Sequence, residues 1–269
     1  MIEQELVKTV GIEALKEGVE QNTRFLQSVF QPGAEEIGLI IKDKIRHWRL
    51  KNILSILNKA QGMLNWDGQD LQLVTNVRVG FSIFENGSVV DDEDLQNMWA
   101  GLFASSCTQD GKDDSNLVFV DILRQMSSFE AKILKYACEK STKYITKSGL
   151  VIGDSLIVPL SKIIEIGGSD NITKIDFSFD HMTSLNLFHG NMFSGGGFDP
   201  DDSSLTADIG PSALALSLYY KIFAPFGVSV ADFWGDQLKE FSAFQEAQEQ
   251  KAKQEIDEIW NKEVESVEK

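Results

Sequence analysis

Along the first quarter of the chain, apolar residues recur every three or four positions. Leu6, Val10, Leu15, Val19, Leu26 and Phe30 form one such stripe across residues 3–30, the pattern of a helix that buries one face. Gln31-Pro32-Gly33 interrupts it, since proline donates nothing to the helix ladder and glycine accepts turn geometry. The spacing resumes through Ile37, Ile41, Ile45, Trp48, Ile53, Ile56, Leu57, Ala60 and Leu64, predicting a long second helix over residues 34–64. Asn65-Trp66-Asp67-Gly68 closes it with turn residues. Farther on, Leu95, Met98, Trp99, Leu102 and Phe103 share a face in a helix opened by Asp91 and Asp92. A polar loop, Thr108 to Asn116, leads to another apolar-periodic run, Phe119 to Ala137, with Ser127 and Ser128 placed to start its main helix. Acidic and hydroxyl residues at these positions offer acceptors to the backbone N–H groups that a helix start leaves unpaired.

Beyond Ser127 the texture changes. A helix predicted over Ser128 to Lys140 gives way to a mixed stretch with Gly149 and Gly153, then the apolar Val158 to Ile166 and a β-leaning ITKIDFSF at Ile172 to Phe179. A short helical segment (His181 to Phe188), the glycine-rich NMFSGGGFDPDDSS and LTADIGPSALALSLYYKIF follow. Short helices, a strand, a glycine turn, a second strand and a closing helix make a winged-helix pattern. Residues 229–269 are polar, with apolar residues only at their two ends, and predict a projecting helix or two short amphipathic ones. The expected fold is therefore mainly α. An N-terminal helical bundle (1–126) precedes a winged-helix-like α+β domain (127–228) and a charged C-terminal helix (229–269), the first candidate for self-association.

Composition narrows this picture. The chain has 269 residues, 42% hydrophobic and 25% charged, enough to bury cores without disulfide support. Its aliphatic runs fall far short of the roughly 20 residues that span a bilayer. The first residues, MIEQELVKTV, mix acids with apolar side chains where a secretory signal needs a basic start and an unbroken apolar run. A cytoplasmic location is expected. Cys107 and Cys138 are the two cysteines, without CxxC spacing, and suit reduced thiols packed as small hydrophobes.

Four segments carry a likeness: EEIGLIIKDKIRHWRLKNILSILNKA (Glu35 to Ala60), DDEDLQNMWAGLFA (Asp91 to Ala104), SSFEAKILKYA (Ser127 to Ala137) and DIGPSALALSLYYKIF (Asp208 to Phe223). In order and wording they resemble the bacterial abortive-infection alpha family of phage-defence proteins. The resemblance implies a setting in phage defence and a closing winged-helix segment, and it brings no set of catalytic residues. It also favours helix for residues 71–85, whose Val74, Val77, Val79, Phe81 and Ile83 suit a strand by local propensity. A longer Gly/Asp insert at 194–204 and an acidic C-terminal extension depart from the family pattern.

Charge distribution bears on function. The net charge is −16, yet Lys42, Lys44, Arg46, Arg49 and Lys51 stand within ten residues against the single Asp43. On a helix Lys42, Arg46 and Arg49 share a face, able to hold phosphate oxygens or a partner's carboxylates, or to pair with acidic helices of the same chain such as Asp91 to Asp94. From Ile175 to Tyr220 there is no Lys or Arg, while Asp176, Asp180, Asp199, Asp201, Asp202 and Asp208 accumulate where a winged helix reads DNA. Phosphate binding rests on cations, so sequence-specific DNA binding through this module is not expected. GGGFDPDD (Gly195 to Asp202) lacks EF-hand ligand order and reads as a solvated wing tip rather than a calcium site. His47, His181 and His189 are isolated, and no GxSxG, Walker A or GxGxxG motif occurs. Cys138 and Trp99 read as core residues rather than nucleophile and ligand platform. No catalytic, cofactor or metal residues are assigned. The expectation is a non-enzymatic defence protein, an interaction or sensor module with a protein partner, itself included. The alternative is a nucleic-acid-associated regulator using the 42–51 face.

Overall fold

Asp92 begins the helix around which the N-terminal half is arranged, its side chain accepting from the Leu95 N–H at 3.0 Å. The computed structural model describes residues 20–30, 47–67, 73–189, 193–194 and 205–242. Among these residues helices dominate, with four small sheets between them. Contacts divide the chain into two compact units: Met1–Lys132 with Leu218–Val228, and Ile133–Ser217 with Ser229–Lys269.

In the first unit, residues 20–29 are helical (α1). The following elements are α2 (His47–Met63), β1 (Val74–Thr75), α3 (Val77–Gly87), α4 (Glu93–Ser105), β2 (Cys107–Thr108) and α5 (Leu117–Leu123). The rest of the two long helices predicted over 3–30 and 34–64 lies outside the described residues. Helix α2 packs along α4, and the space between α1, α3 and α4 is filled by aromatic rings. Phe103 lies 5.0 Å from Phe84, 5.9 Å from Phe30 and 6.2 Å from Phe25 between ring centroids, within the range of favourable aromatic pairs. Trp99 is buried to 1% exposure as expected of a core anchor. Its indole N–H meets no acceptor among the described residues, so apolar contact is what holds it. Segment 71–85 divides its loyalties: Val74–Thr75 pair with Cys107–Thr108 as a short antiparallel ladder, and helix begins at Val77, capped by Asn76.

Close approach fixes the return segment 218–228 against α4. At Gly101 an added Cβ would lie 2.0 Å from the Ile222 carbonyl oxygen, so only glycine permits this packing.

The second unit holds the rest of α6 (Ser128–Lys140), whose first turn belongs to the first unit. It continues through β3 (Lys143–Ile145), β4 (Val151–Gly153), β5 (Ile157–Pro159), α7 (Leu160–Gly167), α8 (Ile172–Ser184), β6 (Phe188–His189), β7 (Phe193–Ser194), β8 (Thr206–Asp208) and β9 (Gly210–Pro211). Helix α9 (Ala213–Phe223) begins in this unit and ends in the first. After it come α10 (Val230–Trp234), a 3-10 turn (Gly235–Gln237) and β10 (Leu238–Glu240). Strand orders are β5-β8-β7, all antiparallel, and β10-β3-β4, with β10 parallel to β3.

Two expectations are corrected. Ile172 to Phe179, expected as β-leaning, is the body of α8. Asn171 caps its start by accepting from the Lys174 N–H at 3.0 Å, and Ile175, Phe179 and Met182 are buried at helical spacing. Aromatic and β-branched content favours a strand, but the cap and the i, i+4, i+7 stripe decide the outcome. His181 is consequently in the last turn of α8, and Phe188 lies in a strand. The helix expected through 229–269 does not hold at Leu238–Glu240, which form β10; residues 243–269 lie outside the described residues. Leu238 to Glu240 find free backbone groups along β3, and the resulting ladder outweighs their helix propensity.

Candidate functional site

Of the basic cluster, Lys42, Lys44 and Arg46 lie outside the described residues, and Arg49 and Lys51 sit on the first turns of α2. The Arg49 guanidinium is already engaged. It donates to the Ser88 hydroxyl at 2.8 and 2.9 Å and to the Glu85 carbonyl at 3.2 Å, the end of α3. It does not turn to Asp91 or Asp94. The α2 cation that reaches the start of α4 is Lys59, which donates to Asn97 Oδ1 at 2.6 Å and lies 4.0 Å from Glu93. Behind Arg49, Asn52 donates to the Ser88 carbonyl at 3.0 Å, and Ser55 donates to Gln96 Oε1 at 2.7 Å. Sequence spacing places Arg49 on a cationic face and misses Ser88 as its partner, because that pairing depends on how α3 ends. Lys51 and Trp48, by contrast, are exposed.

On α8 the inward stripe leaves Asp176, Phe177 and Asp180 facing solvent, Phe177 being 59% exposed. The other aspartates of this acidic region divide. Asp199, Asp201 and Asp202, with the whole Gly195 to Asp202 segment, lie outside the described residues. Asp208 is structural: its carboxylate accepts from the Ser155 hydroxyl and, at 3.2 Å each, from the Leu156 and Gly210 N–H groups. It ties the approach to β5 to the end of β8.

Cys107 and Cys138 are free and buried. Both thiols are held in the protonated form. Burial pushes the Cys107 thiol up to about 12 and raises that of Cys138 as well, whereas a nucleophilic cysteine needs its thiolate favoured. Lys143, unremarked in the sequence, is fully buried. Its ammonium donates to the Ser141 carbonyl at 2.9 Å, Gln237 Oε1 at 3.3 Å and the Glu139 carbonyl at 3.4 Å, and lies 4.7 Å from the Trp234 ring centroid. Burial lowers its pKa. Nothing in TKYI distinguishes this lysine from a surface one; its role depends on residues more than ninety positions away. His181 is half-buried at the end of α8 and His189 exposed on β6. Among the described residues no group of three or more His, Cys, Asp or Glu converges as a metal site.

A cavity of about 430 Å³ lies in the first unit between the end of α4 and the 220–228 segment. Leu73, Ala104, Cys107, Ile222 and Phe226 give it apolar walls. Its hydroxyls are spent on the backbone: Tyr220 donates to the Val228 carbonyl at 2.6 Å, Ser105 to the Leu102 carbonyl at 3.1 Å, and Thr108 accepts from the Gly111 N–H at 3.1 Å. Gln109 and Lys221 also line it, so the space accommodates an apolar group beside an amide and a cation. No helix of the described residues is long and apolar enough to cross a membrane.

A family model described as abortive infection alpha matches residues 51–191, more than half of the chain. No curated protein and no solved structure matches.

Proposed function

Because the chain belongs to the abortive infection alpha family, we propose that it serves phage defence as a non-enzymatic contact module whose second unit is a winged-helix-like protein-binding element. Supporting the winged-helix reading, β5 leads into α7 and α8, and β7 and β8 follow on either side of the Gly/Asp segment, paired in the order β5-β8-β7. Two helices, a strand, the glycine-rich segment, a second strand and α9 thus follow in the sequence order that motivates the winged-helix reading. The observation that carries the functional reading is the outer face of α8. A winged helix that reads DNA presents Lys and Arg on its inserted helix, since phosphates must be neutralised before bases are reached. Here that face offers Asp176, Phe177 and Asp180, with the single cation Lys174 one turn before the ring. Carboxylates repel a polyanion, and an exposed phenylalanine flanked by them suits a polypeptide with cations around an apolar socket. The buried thiols and committed cavity hydroxyls support the non-enzymatic part.

Deleting the gene from a phage-challenged host is expected to raise plaque counts, and unchanged counts across a broad phage panel would sink the defence role. The full chain is expected to ignore duplex DNA and RNA at physiological salt. Tight, salt-sensitive binding lost on Arg46→Glu with Lys51→Glu would instead establish the nucleic-acid reading through 42–51.

A further inference from the structure

Two helices carry the same motif with opposite charge. On α2, Trp48 is 49% exposed, followed by Arg49 and, one turn on, by the exposed Lys51. On α8, Phe177 is 59% exposed, preceded by Asp176 and, one turn on, followed by Asp180, both exposed. In the sequence, the run from Ile175 to Tyr220 without Lys or Arg preserves the second charge. Each face is thus an aromatic ring with a charge at i+3, cationic in one case and anionic in the other.

We infer that these faces are complementary surfaces for a second copy of the chain, the α2 face of one copy receiving the α8 face of another. The inference rests on the protein-contact reading above and names its partner. Charge also fixes the register. Set side by side in parallel with the rings in contact, the helices bring Lys51 level with Asp180 and place Arg49 and Asp176 on the same flank. An antiparallel arrangement would instead bring Lys51 level with Lys174, one turn before Phe177 on α8, and like charges there are repulsive. Arg49 is pre-oriented by its bonds to Ser88 and the Glu85 carbonyl, which lowers the entropy lost on association. The ring pair supplies apolar burial while the flanking ions supply steering and specificity. Since each copy has one face of each kind, the contact is heterologous. A reciprocal dimer, a larger closed ring or an open chain of copies can each be built from this one contact.

Analytical ultracentrifugation of the full chain across a concentration series, at low and at high ionic strength, tests this. The chain is expected to self-associate, less so in high salt. Lys51→Asp and Asp180→Lys are each expected to move the association midpoint upward by roughly tenfold or more, both lying on the surface where folding is insensitive to them. An equimolar mixture of the two variants is expected to regain association. The face that each variant keeps meets its unaltered counterpart, and the two reversed faces, now anionic at position 51 and cationic at position 180, attract each other. A wild-type chain that stays monomeric throughout, or association unmoved by either reversal, overturns the inference. A monomer that still protects cells from phage would leave the broader reading intact with another partner, whereas unchanged plaque counts in the deletion test would sink that reading alone.

Discussion

Gly101 shows how one missing side chain arranges a unit. With 2.0 Å between a built Cβ and the Ile222 carbonyl oxygen, Gly101→Ala must push the 218–228 segment off α4. A cost of about 1–3 kcal/mol is expected, read as a lowered midpoint in urea unfolding. The requirement is invisible in WAGLFA, where a glycine in mid-helix reads only as a weak point. Cys107 acts through its proton. Its folded pKa of about 12 lies above its unfolded value, so the folded state holds a proton that the unfolded chain releases. The associated stability is full below about pH 8.5 and is lost progressively as pH rises toward about 12. Cys107→Ala should flatten that decline, by about 2 kcal/mol near pH 10, when unfolding free energies are compared across pH. Lys143 works in the opposite sense: with its pKa lowered in the fold, its cost falls as pH rises, so the comparison is between slopes of variant and parent.

At the scale of elements, caps are more legible than strands. Asp92 and Ser127 both read as helix starts, and both bond as such. At α6 the Glu130 carboxylate accepts from the Ser127 N–H at 2.6 Å and its hydroxyl at 2.9 Å, while the Glu130 N–H donates to the Ser127 hydroxyl at 3.3 Å. This is a reciprocal capping box. Ser127→Ala is expected to cost about 1 kcal/mol in chemical denaturation, and Glu130→Ala at least as much because Glu130 is buried. Such signals are local, a side chain answering a backbone two or three residues away. Strands of two or three residues leave no comparable trace, and the content of Ile172 to Phe179 argues for the wrong element until its burial stripe is known.

For the molecule as a whole, residues 229–242 contribute to the packing of the second unit. Trp234, Gln237 and β10 cover Lys143 and extend the β3 sheet, so a chain ending at residue 227 exposes an ammonium arranged for burial. Its thermal midpoint is expected to fall by roughly 5–10 °C. A chain ending at residue 242 keeps these contacts and is expected to melt above the shorter one by differential scanning calorimetry. The second truncation is therefore the one suited to asking whether residues 243–269 contribute to self-association.

Residue order alone carried the helical texture, the positions of the main caps, the likeness to the abortive infection alpha family and the separation of cations at 42–51 from aspartates beyond Ile175. Periodicity, capping and charge are properties of neighbouring residues, and neighbours in sequence remain neighbours in a helix. Tertiary structure alone decided that Arg49 spends its donors on Ser88, that Asp208 fastens a turn, that Lys143 is buried beneath Trp234, and that Trp48 and Phe177 remain uncovered. Each of these depends on which distant segment arrives beside the side chain, and the packing of a core, unlike a local period, is settled only when all its parts are in place.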